Sequence, residues 1–247
     1  MADAFNFTGV SLGYDGHVVL RVDELRIPKG CMTFVIGPSG TGKSTLLESI
    51  GLMSDTFMKD PIATQDFWIE GERFDPATLW SAERHRLAQI RKERFSFIFQ
   101  STNLMPNFTV GENIRMAAFD RTEDGPAMLA RIEELMHALH LPLDTLDKPA
   151  HAISGGQRQR VAFIRALVKD FSVLLADEPT GNLDPANAIV LFDVLKHQIT
   201  AHGRTAVVVT HHLDLADRFG DLILELQPPS SSGAPATVSI KRALALA

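Results

Sequence analysis

The amino-acid sequence predicts an α/β fold in which helices cover a mostly parallel sheet. Strand-like and helix-like segments alternate along the chain, as they do where helical connections join parallel strands. A glycine-rich loop over 37–42 follows a buried strand-like run at 33–36 and precedes a segment with helical spacing. The 247 residues, 45% hydrophobic and 22% charged, suit one large globular domain and exclude disorder throughout the chain.

The first thirty residues are β-like. Apolar residues lie among polar ones over 5–12, a second run follows over 18–27, and the sequence Pro-Lys-Gly at 28–30 forms a turn. We predict an N-terminal antiparallel β region from these runs. After the glycine-rich loop, Leu46, Leu47 and Ile50 have the spacing of one helix face.

Strands and helices then follow in turn. The predicted strands lie at 95–99, 173–176, 206–210 and 222–226. The apolar faces of three predicted helices are formed by Leu129, Ile132, Met136 and Leu139; by Val161, Ile164 and Val168; and by Leu191, Leu195 and Ile199. The sequence QPPSSSGAP at 227–235 is typical of a flexible linker, so we predict a linker-like tail over 227–247, whose last dozen residues could form a short strand and helix.

Charge and cysteine content exclude several classes of protein. Against 24 Lys and Arg stand 30 Asp and Glu, and the net charge of −6 argues against a general nucleic-acid binder. The only cysteine, Cys31, excludes an intramolecular disulfide and a cysteine-rich zinc site. A basic stretch at 84–94 predicts either a nucleic-acid patch or a solvated helix face, and the acidic balance of the chain favours the helix face.

Neither a membrane span nor a secretory signal is predicted. No apolar run approaches the roughly 20 residues that cross a bilayer. Residues 1–5 lack the basic and apolar regions of a signal peptide. We therefore expect a soluble, cytoplasmic protein whose role at a membrane comes through a partner.

The glycine-rich loop has the pattern G-x-x-x-x-G-K-[ST], and we call residues 37–44 the phosphate loop. Glycines let backbone N–H groups close around phosphates, and the helix that follows adds positive potential at its N-terminus. The lysine of this pattern reaches the β- and γ-phosphates, and the hydroxyl after it binds Mg²⁺. The predicted nucleotide-binding residues are Gly37, Pro38, Ser39, Gly40, Thr41, Gly42, Lys43, Ser44 and Thr45.

Two carboxylates end the predicted strand at 173–176. Asp177 and Glu178 follow it directly, and the carboxyl ends of parallel strands face the ligand crevice. Asp177 is therefore a candidate for the Mg²⁺ shell, and Glu178 is a candidate to polarise an attacking water. Such a pair on its own more often belongs to a solvated loop, and the upstream phosphate loop favours the functional interpretation.

A second anion cradle is predicted at 153–157, Ile-Ser-Gly-Gly-Gln, which we call the signature segment. Ser154 and bare backbone N–H groups meet a helix N-terminus there. One phosphate group does not need two cradles from one chain, so a dimer in which this cradle caps the partner's nucleotide is the economical explanation. Alone, the segment would indicate an ordinary serine cap followed by flexible glycines.

Five motifs in order give the chain a specific resemblance. The phosphate loop, Gln100 after the strand at 95–99, the signature segment, Asp177-Glu178 and Thr210-His211 resemble the ATP-binding-cassette (ABC) ATPases over roughly 5–226. The sequence ADEPTGNLD at 176–184 resembles the lipoprotein-releasing, macrolide-export and cell-division group within that family.

This resemblance implies roles for residues near the nucleotide. Tyr14 would stack on adenine, with a core tyrosine as the alternative. Gln100 would contact Mg²⁺ together with Ser44 and Asp177, and it would sense the membrane partner. Lys43 would act on the phosphates during catalysis.

The resemblance also implies roles for residues around the attacking water and across a dimer. Glu178 would be the general base, and His211 would bind the γ-phosphate and hold the water. Asp184 would cross the dimer interface. The residues that would contact ATP held by the opposite subunit are Ser154, Gly155, Gly156 and Gln157.

Two residues and one segment depart from the family pattern. Ile153 replaces the usual leucine, an apolar exchange that should be harmless. His212 stands where aspartate is common, which leaves two candidate histidines, although the register after Thr210 favours His211. The segment 53–66 is longer than the family pattern.

The implied protein is an ABC ATPase with an N-terminal antiparallel β region, a nucleotide-binding core and an inserted helical subdomain at about 101–160. It would bind ATP and Mg²⁺, hydrolyse ATP as a head-to-tail homodimer with ATP at the interface, and power an integral membrane permease. It would lie at the inner face of the cell membrane through that partner. The alternatives are an ATPase that drives a non-transporting membrane protein of the cell-division type, a soluble ABC ATPase of assembly or repair, and a P-loop kinase, which leaves the signature segment unexplained.

The resemblance implies a partner groove after Gln100. The next residues, 101–106, lead toward the helical region and bring Leu104 and Met105 close to a predicted surface. We expect a short helix of the membrane subunit to dock there.

Overall fold

The computed structural model of this chain describes residues 2–58, 65–118, 125–231 and 233–243. The described strands are β1 (Asp3–Tyr14), β2 (His17–Pro28), β3 (Met32–Ile36), β4 (Phe57–Met58), β5 (Asp66–Ile69), β6 (Glu72–Phe74), β7 (Phe95–Ile98), β8 (Val173–Asp177), β9 (Thr205–Val209), β10 (Leu222–Gln227) and β11 (Ala236–Ala243). The described α-helices are α1 (Lys43–Ile50), α2 (Pro76–Ser81), α3 (Arg84–Arg94), α4 (Val110–Met116), α5 (Gly125–Ala138), α6 (Gly155–Val168), α7 (Pro185–His202) and α8 (Leu213–Phe219). Short 3-10 helices cover Leu143–Asp147 and Ala150–Ala152.

The described strands form one mixed sheet, in the order β6-β5-β1-β2-β11-β10-β3-β9-β8-β7, with β4 paired to β1. The five strands from β10 to β7 in this order are parallel. The N-terminal strands β1, β2 and β5 pair antiparallel. The predicted α/β fold and its antiparallel N-terminal region are confirmed.

Strand register brings three chain segments to one edge of the sheet. Val209 pairs with Val35 on one side and with Asp177 on the other. The carboxyl ends of β3, β8 and β9 therefore lie side by side, where ligands bind in open α/β sheets.

Both faces of the central parallel strands are buried. Every residue of β3 is buried, and its side chains alternate between two apolar layers. Phe34 belongs to one layer, where its ring lies 5.4 Å from that of Phe192. Val35 belongs to the other layer, with Phe7 and Leu46. This double burial explains why strands such as β3 and β9 are continuously apolar.

The described chain between β7 and β8 is largely helical, as the sequence predicts, and contains α4, α5 and α6. The extent of a subdomain at 101–160 stays a prediction. The loop before α4 is held by Asn113, which is 2% exposed. Its Oδ1 accepts from the N–H of Met105 at 2.7 Å, and its Nδ2 donates to the carbonyls of Met105, Phe108 and Thr109.

The C-terminal segment differs from the predicted linker-like tail. Residues 236–243 form β11, which pairs antiparallel with β10 and parallel with β2. Thr237, Val238 and Ile240 are good strand formers, and Ala236 is fully buried, so this stretch forms a strand of the sheet. A linker-like tail over all of 227–247 is therefore wrong for 236–243.

Two other predicted segments have definite outcomes. The basic stretch 84–94 forms α3, where Arg86 and Arg94 both pair with Glu72, at 2.6 and 2.5 Å. These contacts agree with a structural helix face. The long segment 53–66 contributes β4, and its residues 59–64 lie outside the described residues.

Within the described ranges, each helix is too short or too polar to cross a membrane.

Candidate functional site

The phosphate loop lies between a buried strand and a helix, as predicted. β3 ends at Ile36, and α1 begins at Lys43. The ammonium group of Lys43 donates to the carbonyl oxygens of Gly37 and Pro38 at 2.9 and 2.8 Å. The lysine charge is thereby held over the loop and beside the N-terminus of α1, where an anion is favoured.

Gly37 is required by both backbone conformation and space. Its φ is +143°, and a Cβ atom there would lie 2.6 Å from the carbonyl oxygen of Leu226. A side chain at this position would push the loop away from β10. The first glycine of the motif is thus explained by the close approach of backbone to backbone.

Ser44 and Asp177 meet across the loop. The Ser44 hydroxyl donates to Oδ2 of Asp177 at 3.0 Å. Burial raises the pKa of the Asp177 carboxyl, the Ser44 hydrogen bond lowers it, and the charge of Glu178 raises it again. The net effect is a raised pKa, so the folded chain holds an ionised carboxylate here at an energetic cost.

We expect Asp177→Asn to raise the melting temperature of the nucleotide-free protein at neutral pH. Because the pKa of Asp177 is raised on folding, its contribution to stability falls as pH rises through the window between the unfolded and folded pKa values. Above that window the wild-type protein carries the full energetic cost of the ionised Asp177 carboxylate, and the asparagine amide removes that cost. Thermal melts from acid to neutral pH should show a gain in melting temperature that grows with pH. A gain in melting temperature that is largest at acid pH would contradict this account.

Glu178 contacts His211 on the neighbouring strand end. Nδ1 of His211 lies 3.1 Å from Oε2 of Glu178. The backbone at Glu178 has φ +45°, and its N–H donates to the carbonyl of Val209, which ties the turn to β9. Nε2 of His211 is the ring nitrogen left for a ligand.

The two adjacent histidines have different environments. The backbone N–H of His212 donates to the Thr210 hydroxyl at 3.1 Å, and His212 precedes the first turn of α8. The structure brings His211, and not His212, to Glu178. The geometry therefore favours the residue that the register after Thr210 indicated.

Gln100 lies near the same carboxylates. It is exposed and lines an open pocket with Phe99, Ser101 and Asp177. An amide beside a carboxylate and a serine hydroxyl gives the set of oxygen donors that Mg²⁺ prefers.

Tyr14 is 38% exposed, so it is not a core tyrosine. Its hydroxyl donates to Oε2 of Glu48, on α1, at 2.8 Å. Burial and then this hydrogen bond raise the pKa of Tyr14. The contact with Glu48 was not predicted from the sequence, since no pattern joins positions 34 residues apart. Stacking of Tyr14 on a base stays a prediction.

The signature segment begins α6. Ser154 accepts from the N–H of Gln157 at 3.2 Å, and Oε1 of Gln157 accepts from the N–H of Ser154 at 2.9 Å, which forms a capping box. A Cβ atom at Gly155 would meet nothing closer than 3.9 Å in its own chain. Within the described residues, no hydrogen bond joins this segment to the phosphate loop.

Two contacts near the signature segment were not predicted from the sequence. Gln159, 1% exposed, donates to the carbonyl of Pro179 at 2.6 Å, which ties α6 to the residue after Glu178. Asp184 caps α7 by accepting from Asn187, and the backbone hydrogen bond from Asn187 is the main cause of its lowered pKa. The helix spacing of Gln159 marks it only as a residue near the apolar face.

The chain matches the ABC transporter family over residues 20–181. It is 38% identical over 200 residues to the lipoprotein-releasing system ATP-binding protein LolD of Roseobacter denitrificans, covering 81% of this chain and 83% of that protein. It is also 38% identical over 198 residues to the macrolide export ATP-binding/permease protein MacB of Shigella flexneri, covering 80% of this chain and 28% of that longer protein.

Among solved structures, the chain is similar to the dimeric post-hydrolysis state of the ATP-binding cassette MJ0796 bound to ADP and Pi. The TM-score is 0.73 at 28% identity, and the similarity covers 90% of this chain and 93% of that one. The similarity therefore extends across the sheet, the helical region and the candidate site.

Proposed function

This chain belongs to the ABC transporter family, and on that premise we propose that it is the ATP-hydrolysing subunit of a transporter whose membrane permease is a separate protein of the lipoprotein-releasing or macrolide-export type. The observation that carries the proposal is the joining of two residue pairs at one sheet edge: Ser44 with Asp177, and Glu178 with His211. In the proposed site, a phosphate cradle, a carboxylate base and a histidine surround one crevice.

The residues divide the work of phosphoryl transfer, which is mostly positioning and electrostatic stabilisation. Lys43 and the loop N–H groups bind the phosphates of ATP. Glu178 accepts the proton of the attacking water, and His211, held through Nδ1, presents Nε2 to the γ-phosphate.

The residues present fit Mg²⁺. Ser44, Asp177 and Gln100 offer oxygen donors in one place, and Mg²⁺ typically takes one or two protein ligands together with substrate phosphates. Within the described residues, no cluster of three His, Cys, Asp or Glu side chains converges, as expected where phosphates complete the shell. When bound, the ion would neutralise developing phosphate charge.

A head-to-tail homodimer would bring the signature segment to a partner's nucleotide. Ser154 and Asp184 are exposed, and a Cβ atom at Gly155 would lie 3.9 Å from the nearest described side chain, that of Arg158. A partner's ATP would fit against Ser154, Gly155 and Gly156, with Gln157 supporting the cap. Asp184 would then lie at the dimer interface.

A permease helix would dock on the exposed loop between β7 and α4. Met105 is 44% exposed and Phe108 is 42% exposed, and Asn113 holds both in place through their backbones. Leu104 is half-buried and packs against the core, so it offers less surface than Met105 or Phe108. The docking surface is therefore Met105 with Phe108, instead of the predicted Leu104 with Met105, and it would bring the chain to the cytoplasmic face of the membrane.

Met105→Asp with Phe108→Asp should weaken association with the permease. Exposed apolar anchors contribute about 2 kcal/mol or more to an interface, so we expect binding to weaken by a factor of about 30 or more. The measurement is copurification with the permease in detergent, followed by titration. The matched control is Ile240→Asp, which also puts a charge on an exposed apolar position but lies on β11. If the double variant is folded, hydrolyses ATP normally and still binds the permease as the wild-type protein does, this surface is not part of the interface.

The proposed activity is tested with the purified chain, by measuring release of inorganic phosphate from ATP with and without Mg²⁺. We expect hydrolysis that depends on Mg²⁺ and on Lys43. Transfer of the phosphate to a small molecule would instead indicate a kinase. Loss of substrate export after gene deletion would separate a transporter from an ATPase that drives a non-transporting membrane protein.

A further inference from the structure

The C-terminal strand β11 places an arginine against the last turn of α8. Nη2 of Arg242 donates to the carbonyl oxygens of Gly220, Asp217 and Ala216 at 2.8, 2.9 and 3.2 Å. Nη1 also reaches Oδ1 of Asp217 at 3.4 Å. One guanidinium group thus satisfies three main-chain carbonyls at the end of one helix.

Helix α8 is short, and contacts with other elements hold it in place. It has only 7 residues, and no side chain caps its N-terminus. An isolated helix this short is not stable in water, because nucleation costs more than its few hydrogen bonds return. At its C-terminal end, the N–H of Gly220 donates to the Ala216 carbonyl, and Nζ of Lys196 donates to the Phe219 carbonyl at 3.4 Å. Arg242 adds hydrogen bonds to the last carbonyls, and its charge complements the helix dipole.

The same helix carries the candidate histidine at its other end. His211 comes two residues before Leu213, where α8 begins, and its contact with Glu178 is a single hydrogen bond of 3.1 Å. Upstream, the N–H of Thr210 is bonded to the carbonyl of Val35. His211 therefore lies between a fixed strand end and a helix whose far end is held by Arg242.

We propose that Arg242 is a positioning residue for ATP hydrolysis, which holds α8 so that His211 stays beside Glu178. The proposal rests on the ATPase function proposed above. Arg242 itself touches none of the residues around the phosphates. Its strand is anchored in the sheet, where Arg242 pairs with Ile223 of β10, so the sheet provides a rigid support for the helix.

The test compares Arg242→Met and Arg242→Lys with the matched control Lys241→Met. Lys241 is the adjacent exposed residue, and its ion pair is with Glu225. We expect Arg242→Met to lower kcat about 10-fold with KM for ATP unchanged, because small displacements of catalytic groups cost rate. Arg242→Lys keeps the charge but lacks the planar guanidinium, whose second terminal nitrogen reaches Oδ1 of Asp217, so it should recover only part of kcat. Lys241→Met should match the wild-type protein.

A double-mutant cycle with His211→Ala separates positioning from general stability. If Arg242 acts through His211, Arg242→Met should not lower single-turnover hydrolysis further once His211 is removed. An equal loss in both backgrounds, or a folded Arg242→Met with wild-type kcat, would overturn the proposal. If Arg242→Met does not fold, the same cycle is run with Arg242→Lys, and wild-type kcat in that folded variant would also overturn it. Full activity of His211→Ala, or no hydrolysis by the wild-type protein, would instead contradict the proposed function.

Discussion

Glu178→Gln should bind ATP normally and hydrolyse it about 100-fold to 10,000-fold more slowly than the wild-type protein, which is the usual range for loss of a general base. The amide has the size of the carboxylate, and its oxygen still accepts from Nδ1 of His211, but it does not take the proton of the attacking water. The measurement is phosphate release under saturating ATP, with nucleotide binding followed separately.

The same variant should accumulate as a dimer, because ATP trapped at the interface is not consumed. Gel filtration with and without MgATP would show this dimer only when ATP is present. The matched control is Lys43→Ala in the Glu178→Gln background, where loss of the loop lysine should prevent nucleotide-dependent dimerisation. Wild-type turnover in Glu178→Gln would exclude Glu178 as the base.

Ser154→Arg should abolish hydrolysis while ATP binding to the isolated subunit stays intact. A bulky cation would block the cradle from receiving the partner's ATP. No described hydrogen bond joins the signature segment to the phosphate loop of the same chain, so the chain's own nucleotide contacts should be unaffected. The change also removes the cap of α6, worth about 1 kcal/mol. Ser154→Ala, which loses the same cap without adding bulk, is therefore the matched control for stability in thermal melts.

Mixing Ser154→Arg with Lys43→Ala subunits tests whether the cradle acts in trans. In a mixed dimer, one composite site carries both defects and the other carries neither. If one intact site hydrolyses ATP on its own, equal mixing should restore about a quarter of wild-type activity. About half of the dimers are then mixed, and each mixed dimer has one intact site out of two. No recovery on mixing, together with loss of ATP affinity in Ser154→Arg alone, would contradict the dimer arrangement and indicate a cradle that acts within its own chain.

Local patterns in the sequence determined the element types and the chemistry of the phosphate loop. The apolar run at 33–36 and the glycines after it predict a strand, a loop and a helix, because backbone conformation and periodicity are properties of neighbouring residues. The pairing of Asp177 with Glu178 at a strand end also follows from adjacency. The resemblance then assigned roles to residues such as Gln100 and His211.

Contacts between distant positions were decided only by the tertiary structure. The packing of half-buried Leu104 against the core, the hydrogen bond from Tyr14 to Glu48, and the hydrogen bond from Gln159 to Pro179 each join segments that no local pattern relates.

The C-terminal strand shows the physical reason most clearly. The composition QPPSSSGAP predicts a chain without regular structure, and no local pattern shows where a short strand in the last dozen residues would pair. Residues 236–243 instead fill an open position between β2 and β10, where main-chain hydrogen bonds and burial of Ala236 stabilise an extended strand. By itself, the sequence determined which residues could carry the chemistry of ATP hydrolysis. Only the tertiary structure decided which sheet position was open and which helix end Arg242 would reach, because both depend on segments brought together by folding.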